Sequence, residues 1–284
     1  MNNIQKYLED YKNYLQLSCS GSTIVQYSGI VAKYLLKVQC PYKSTYSQVL
    51  QFINSYNSNA TQKQVQGAVM HFHKGVVYRP ELTVRLPKIK THQAVVEILT
   101  ENETHRLLES VKNIKHKSIL SLIYYGGLRI SEVINLQIKD IDGEKQNENI
   151  HIRFSKGAKS RIVPITEGLL QLLRKYFIIY SKSKKYNKEG YLFQGQNADQ
   201  YSPQSIRNVL KKHLKLIGVS KQITPHSLRH SRATHLLENG VCIKKLKDFL
   251  GHTKTETTER YTHLSKKSLR NSIIAADTLI SLNN

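Results

Sequence analysis

The sequence has no tryptophan, only two methionines and three cysteines, and only 20 acidic residues against 43 lysines and arginines. Cys19, Cys40 and Cys242 form no close pair and no metal-ligand spacing, and an odd count suits a reducing compartment. Neither a disulfide framework nor a cysteine-bound metal is expected. The shortage of acids leaves no carboxylate cluster of the kind that holds two metal ions. His71 and His73 have no nearby acid or cysteine to complete a metal site. His226 and His230 have the i,i+4 spacing of a zinc helix, but Ser227 stands where a metalloprotease needs glutamate. Metal-free chemistry without a cofactor is the expectation. No apolar run is long enough to span a bilayer, and the N-terminal MNNIQKYLED lacks the apolar core of a signal peptide. A cytoplasmic location is expected. What remains is a formal charge of +23 on 284 residues. That is far more than solubility needs, and it points to a polyanionic partner, nucleic acid ahead of an anionic membrane surface.

The length suffices for two domains with ordinary cores. Apolar residues recur at helical spacing over Ile4–Leu15 and Ile24–Leu35, with Ser22 expected as the N-cap of the second helix. Further helices are expected over about 45–56 and 60–78. Their exposed lysines, Lys33, Lys37, Lys63 and Lys74, are candidates for phosphate contact, and each is equally well read as an ordinary solvated lysine. The stretch RLPKIKTHQAVVEIL has no helical stripe and reads as a basic linker over 83–98, carrying Lys88 and Lys90. A second domain begins at about residue 99, where Thr100 and Glu103 have the spacing of a capping box. A largely apolar helix ends at Gly126-Gly127. Arg129 opens the next one, an unfavourable place for a cation unless an anion sits there. Glu132, one turn on, either holds Arg129 in place or makes a surface salt bridge. NIHIRF (149–154) and RIVPI (161–165) alternate as two strands of a hairpin, which is the domain's only clear β content. Helices resume at 167–180 and 204–217, the latter with Arg207, Lys211, Lys212 and Lys215 on its polar side, suited to a DNA groove.

Thr224–His263 carries the chemistry. Thr224 caps a helix that Pro225 opens, and His226 and Arg229 share one face of it. Gly251 ends the following helix just before His252, and Tyr261 lies nine residues beyond that histidine. A phosphodiester under attack gathers charge on its non-bridging oxygens. A guanidinium fork matches those oxygens, a histidine adds a directed N–H, and a tyrosine hydroxyl supplies a nucleophile. Taken singly, His-x-x-Arg is usually a solvated helix face, and one tyrosine among 17 is usually core or surface.

The order HSLRH, LGH and then tyrosine resembles the C-terminal signature of the tyrosine recombinase (phage integrase) family. Two upstream stretches extend the likeness. GGLRISE at 126–132 resembles the family's first-arginine box, and FSKGAKSRIVPI at 154–165 resembles the hairpin that bears its catalytic lysine. The resemblance covers the last two-thirds of the chain in detail and the first third in outline. It is to the simple two-domain members, Xer-like or integron-integrase-like. It implies a mainly α fold with a small β-hairpin or sheet. A four-helix core-binding domain (1–82) and an α+β catalytic domain (99–284) would form a C-shaped clamp on double-stranded DNA. It implies Arg129, Lys156, His226, Arg229 and His252 as catalytic groups and Tyr261 as the nucleophile. Lys159 is the neighbour that rivals Lys156. It further implies Lys88 and Lys90 near the DNA backbone. The apolar tail after Tyr261 would dock on a neighbouring protomer in a tetramer. The reaction would be site-specific cutting and rejoining of DNA, for integration, excision or resolution, through a 3′-phosphotyrosyl link. The rivals are a type IB topoisomerase, which only nicks and reseals, and a catalytically silent DNA-binding protein. One departure is Arg232, where relatives commonly carry an aromatic or small apolar residue.

Overall fold

The computed structural model describes residues 2–90, 96–143, 148–153, 160–184 and 186–251. The expectations placed on Lys156, Lys159, His252, Tyr261 and the apolar tail fall outside these residues. The chain divides into two compact units, 1–94 and 95–284.

The first unit is helical: α1 (Asn2–Gln16), α2 (Gly21–Val38), α3 (Tyr46–Asn54), α4 (Asn59–Phe72) and a short α5 (Glu81–Val84). The apolar stripes read from the sequence meet in one core that includes Tyr11, Leu15, Tyr34, Leu35, Phe52 and Phe72. The N-cap of α2 is Ser20, not the expected Ser22, and Ser20 makes no side-chain cap bond. Its hydroxyl instead lies 3.0 Å from that of Thr23. α4 runs on through a π-helical turn, His73–Val77, which places His73 wholly inside, 2.9 Å from the Tyr34 hydroxyl. Burial, and then the Arg79 charge, press the His73 pKa down to about 4. Beyond α5, Leu86 joins this core and Ile89 packs against it. The Pro87 carbonyl accepts from Gln66 (3.2 Å) and the Lys90 carbonyl from Asn59 (2.9 Å). The part of the expected linker up to Lys90 therefore follows the surface of the first unit.

The second unit comprises α6 (Glu101–Ser110), α7 (Ile114–Tyr124), α8 (Ile130–Asn135), strands β1 (Ile141–Asp142), β2 (Asn149–Ile152) and β3 (Arg161–Pro164), then α9 (Glu167–Ser181), α10 (Pro203–Leu216), α11 (Pro225–Glu238) and α12 (Ile243–Leu250). Thr100 and Glu103 form the capping box expected at α6, with bonds of 2.8 and 3.1 Å. The hairpin gains a strand not expected from the sequence: among the described residues the sheet is three-stranded and antiparallel, in the order β1-β2-β3. β1 is two residues long, too short to show alternation. In the β2–β3 register Ile150 faces Val163 and Ile152 faces Arg161. Arg161 thus lies on the buried face of the sheet. α7, enclosed along most of its length, forms the centre of the core. Among the described residues no helix is long and apolar enough to cross a membrane.

Candidate active site

Three chain reversals bring the charged groups of the second unit together. Gly126-Gly127 stops α7, and Gly127 takes a left-handed φ of 57° where an added Cβ would lie 2.7 Å from the Phe249 ring. A glycine is needed there for both backbone and space. The chain then enters α8 with Arg129 as the N-cap residue. Thr224 caps α11, its hydroxyl accepting from the Ser227 N–H at 3.1 Å. Gly251 closes α12 in the left-handed region, φ 64°. The caps expected at Thr224 and Gly251 are therefore present.

Glu132, in the first turn of α8, is the hub. Its side chain is 1% exposed, which excludes the surface salt bridge that was one of the two expectations for it. Its Oε2 accepts the Arg129 backbone N–H at 2.8 Å and its Oε1 the Arg129 Nη1 at 2.7 Å. Arg161 binds both oxygens in a fork, at 2.8 and 2.9 Å. Nη1 of Arg229 lies 3.6 Å from Oε2. Burial by itself would raise the carboxyl pKa. The Arg161 fork, then the Arg129 N–H and the Arg229 charge, outweigh it and hold the group at about 2.

The same three arginines grip three consecutive carbonyls at the end of α12. Arg161 Nε donates to Phe249 O at 3.1 Å, Arg229 Nη2 to Leu250 O at 2.5 Å, and Arg129 Nη2 to Gly251 O at 3.1 Å. These are the carbonyls a helix leaves unpaired at its negative end, where cations are favoured. Arg229 also donates to Gly127 O at 2.6 Å and is 1% exposed.

Arg129 and Arg229 line an open cavity of about 360 Å³ together with Ser131, Arg207, Thr224 and His226. His226 is solvent-accessible, and its ring meets that of His230 edge-on at 4.2 Å. Its pKa is lowered, first by the packing around it and then by the Arg229 and Arg129 charges. It is therefore neutral at pH 7. The cavity offers guanidinium N–H groups and an imidazole to an anion such as a phosphate.

Of the sequence candidates, the structure brings Arg129, His226 and Arg229 together and adds Arg207 to the same wall. Lys211, one turn along α10 from Arg207, is exposed. Lys33, Lys37, Lys63, Lys74, Lys88 and Lys90 lie on the surface of the first unit. Arg161 is a member of the site that the sequence reading does not include. The available signal is its alternation with Val163, which puts a charge on an inward-facing strand position. Arg232 stacks over Tyr124 and Tyr125, with its guanidinium carbon 5.5 and 5.8 Å from their ring centres. That aromatic surface accounts for an arginine at this position.

Residues 97–268 match the phage integrase family. Tyrosine recombinase XerA of Pyrococcus horikoshii is 33% identical over 275 residues, spanning 94% of this chain and 92% of the relative. Tyrosine recombinase XerD of Oceanobacillus iheyensis is 32% identical over 287 residues, spanning 95% and 90%. The crystal structure of XerA recombinase superposes with a TM-score of 0.58 at 30% identity, covering 95% of this chain and 98% of the other. XerH site-specific recombinase, in a post-cleavage complex with its palindromic difH substrate, shares the fold at a TM-score of 0.74 and 20% identity, covering 95% and 88%. With the family match spanning well over half of its length and relatives aligned nearly end to end, this chain belongs to the phage integrase family of tyrosine recombinases.

Proposed function

We propose that the protein is a site-specific recombinase in which Tyr261 attacks a DNA phosphodiester. The tyrosine oxygen bonds to phosphorus, the bond to the 5′-oxygen breaks, and a 3′-phosphotyrosyl link forms. Arg129 and Arg229 clamp the non-bridging oxygens. His226, neutral before the attack, takes the Tyr261 hydroxyl proton, and His252 donates to the same phosphate. Lys156 protonates the departing 5′-oxygen. Attack by another strand's 5′-hydroxyl on the covalent link completes the exchange. The bond energy stays in that link, so no nucleotide cofactor is required. The observation that supports this reading best is the convergence of Arg129, His226 and Arg229, from stretches about a hundred residues apart, on one open cavity.

The first unit, through Lys33, Lys37, Lys63 and Lys74, and the segment bearing Lys88 and Lys90 contact the DNA backbone. Arg207 and Lys211 of the second unit contact it as well. The working form is a homotetramer on two DNA sites in the cytoplasm, linked through the tail after Tyr261. The test is covalent trapping. The protein is incubated with nicked duplex from its native locus, quenched in detergent and resolved for a DNA-linked band, with Tyr261→Phe alongside. A band that the variant lacks is the expected result. A band that persists in Tyr261→Phe, or no band despite tight binding, overturns the assignment.

A further inference from the structure

Arg161 does not line the cavity described above; its side chain is 8% exposed. Yet it touches two of the supports on which the two cavity arginines depend, the Glu132 carboxylate and the end of α12. It takes both oxygens of Glu132, the carboxylate that also receives Arg129. It bonds Phe249 O, next to the carbonyls that receive Arg229 and Arg129. It also fills the space beside Gly251, where an added Cβ would lie 2.8 Å from the Arg161 Cδ. Arg161 opens β3, so its own backbone is fixed by pairing with Ile152.

We propose that Arg161 is a positioning residue for DNA cleavage. From the start of β3 it locks Glu132 to the end of α12, so that Arg129 and Arg229 face the phosphate as one rigid pair. The physical reason is competition. Three guanidiniums share one carboxylate and the three carbonyls that end α12, and Arg229 holds Gly127 O as well. With Arg161 removed, each Glu132 oxygen loses one donor while keeping its bond from Arg129, Arg229, now 3.6 Å from Oε2, can close on the carboxylate, and Phe249 O loses its donor. The two cavity arginines then turn toward the carboxylate and away from the substrate. A misplacement of about 1 Å in a clamp of this kind costs on the order of 10²-fold in rate. This proposal rests on the reading of Arg129 and Arg229 as phosphate clamps.

The test is single-turnover covalent-adduct formation at saturating nicked duplex from the native locus. It is run with an ordinary scissile phosphate and with a neutral methylphosphonate in its place, using wild type, Arg161→Gln and Arg161→Lys. DNA affinity and melting temperature are measured in parallel. Arg161→Gln is expected to slow cleavage of the phosphate about 10²-fold with little change in affinity. The deficit should shrink on the methylphosphonate, which has no anionic charge for a rigid clamp to hold. Arg161→Lys keeps the charge and one bond to Glu132 but not the fork, so it preserves the fold if the glutamine variant does not. It is expected to show the same pattern, less strongly. Equal deficits on the two substrates would reduce Arg161 to a structural residue and overturn the proposal, as would wild-type rates in both variants. Absence of any adduct from wild type would instead overturn the underlying assignment of the clamp.

Discussion

Glu132 shows how one side chain can set the electrostatics of a cavity whose wall it does not form. An isolated carboxylate this deeply buried would be costly, and the same is true of Arg229. Together with Arg129 and Arg161 they form a network in which each charge has hydrogen-bonded partners. The Glu132 pKa, about 2 when folded against the ordinary 4.5, lies low. The stability it supplies is therefore complete above about 4.5 and is lost as pH falls through about 2. Glu132→Gln is expected to cost about 3–5 kcal/mol at pH 7, the usual penalty for breaking a buried ion pair. The difference from wild type in urea midpoint should narrow steadily as pH falls below 4.5. A pH-independent difference would show that Glu132 acts only through its shape.

Among elements, α11 is central because both of its faces are used. One turns His226 and Arg229 to the cavity. The other fastens the start of the unit. Ser231 Oγ accepts the Leu99 N–H at 2.9 Å, and His235 Nε2 donates to Leu99 O at 2.9 Å. A carbonyl can only accept, so Nδ1 of His235 is the bare nitrogen and takes the Tyr124 hydroxyl at 2.7 Å. This tautomer requires a neutral ring, in keeping with a pKa lowered chiefly by burial. His235→Ala removes both bonds and opens a cavity, and is expected to cost about 2–4 kcal/mol in chemical denaturation. Cleavage chemistry at saturating DNA should survive if the variant is folded; loss of chemistry without loss of stability would place His235 in the site itself.

The elements also show which parts of the structure are legible in the sequence. The Thr100 and Thr224 caps, the Gly251 stop and the β2–β3 hairpin are encoded within a few neighbouring residues, so spacing reveals them. His226 and Arg229 follow closely on the Thr224 cap, whereas Arg129 is picked out by the likeness of GGLRISE to the family's first-arginine box. The π turn at His73 and the start of α2 at Gly21 are not encoded that way, because tertiary packing and backbone compromise decide them. Nor is the partnership of residues 132, 161, 229 and 249, since no periodicity links stretches so far apart. In the sequence Arg161 reads as the ordinary first residue of a strand, and only the register that sets it beside Ile152 reveals where it points.

At the scale of the molecule, the excess of 43 basic over 20 acidic residues cannot be neutralised internally. Much of it is carried by exposed lysines. Removing one phosphate-binding lysine should lower the slope of log affinity against log salt by about 0.9. Lys33→Ala combined with Lys37→Ala is expected to flatten that slope by about 2 and to weaken binding similarly for all DNA sequences. An unchanged slope in a salt titration would return both to the class of ordinary solvated lysines.

The grip on the end of α12 has a consequence for how such a site can drift. Three arginines recognise Phe249, Leu250 and Gly251 through main-chain oxygens. Any side chain of suitable size at 249 or 250 would leave those bonds intact, while 251 is held to glycine. Among the acceptors described for these arginines, Glu132 is the one spelled out as a residue type. The others are written in the backbone, so substitutions can accumulate there while the arginines keep the same partners.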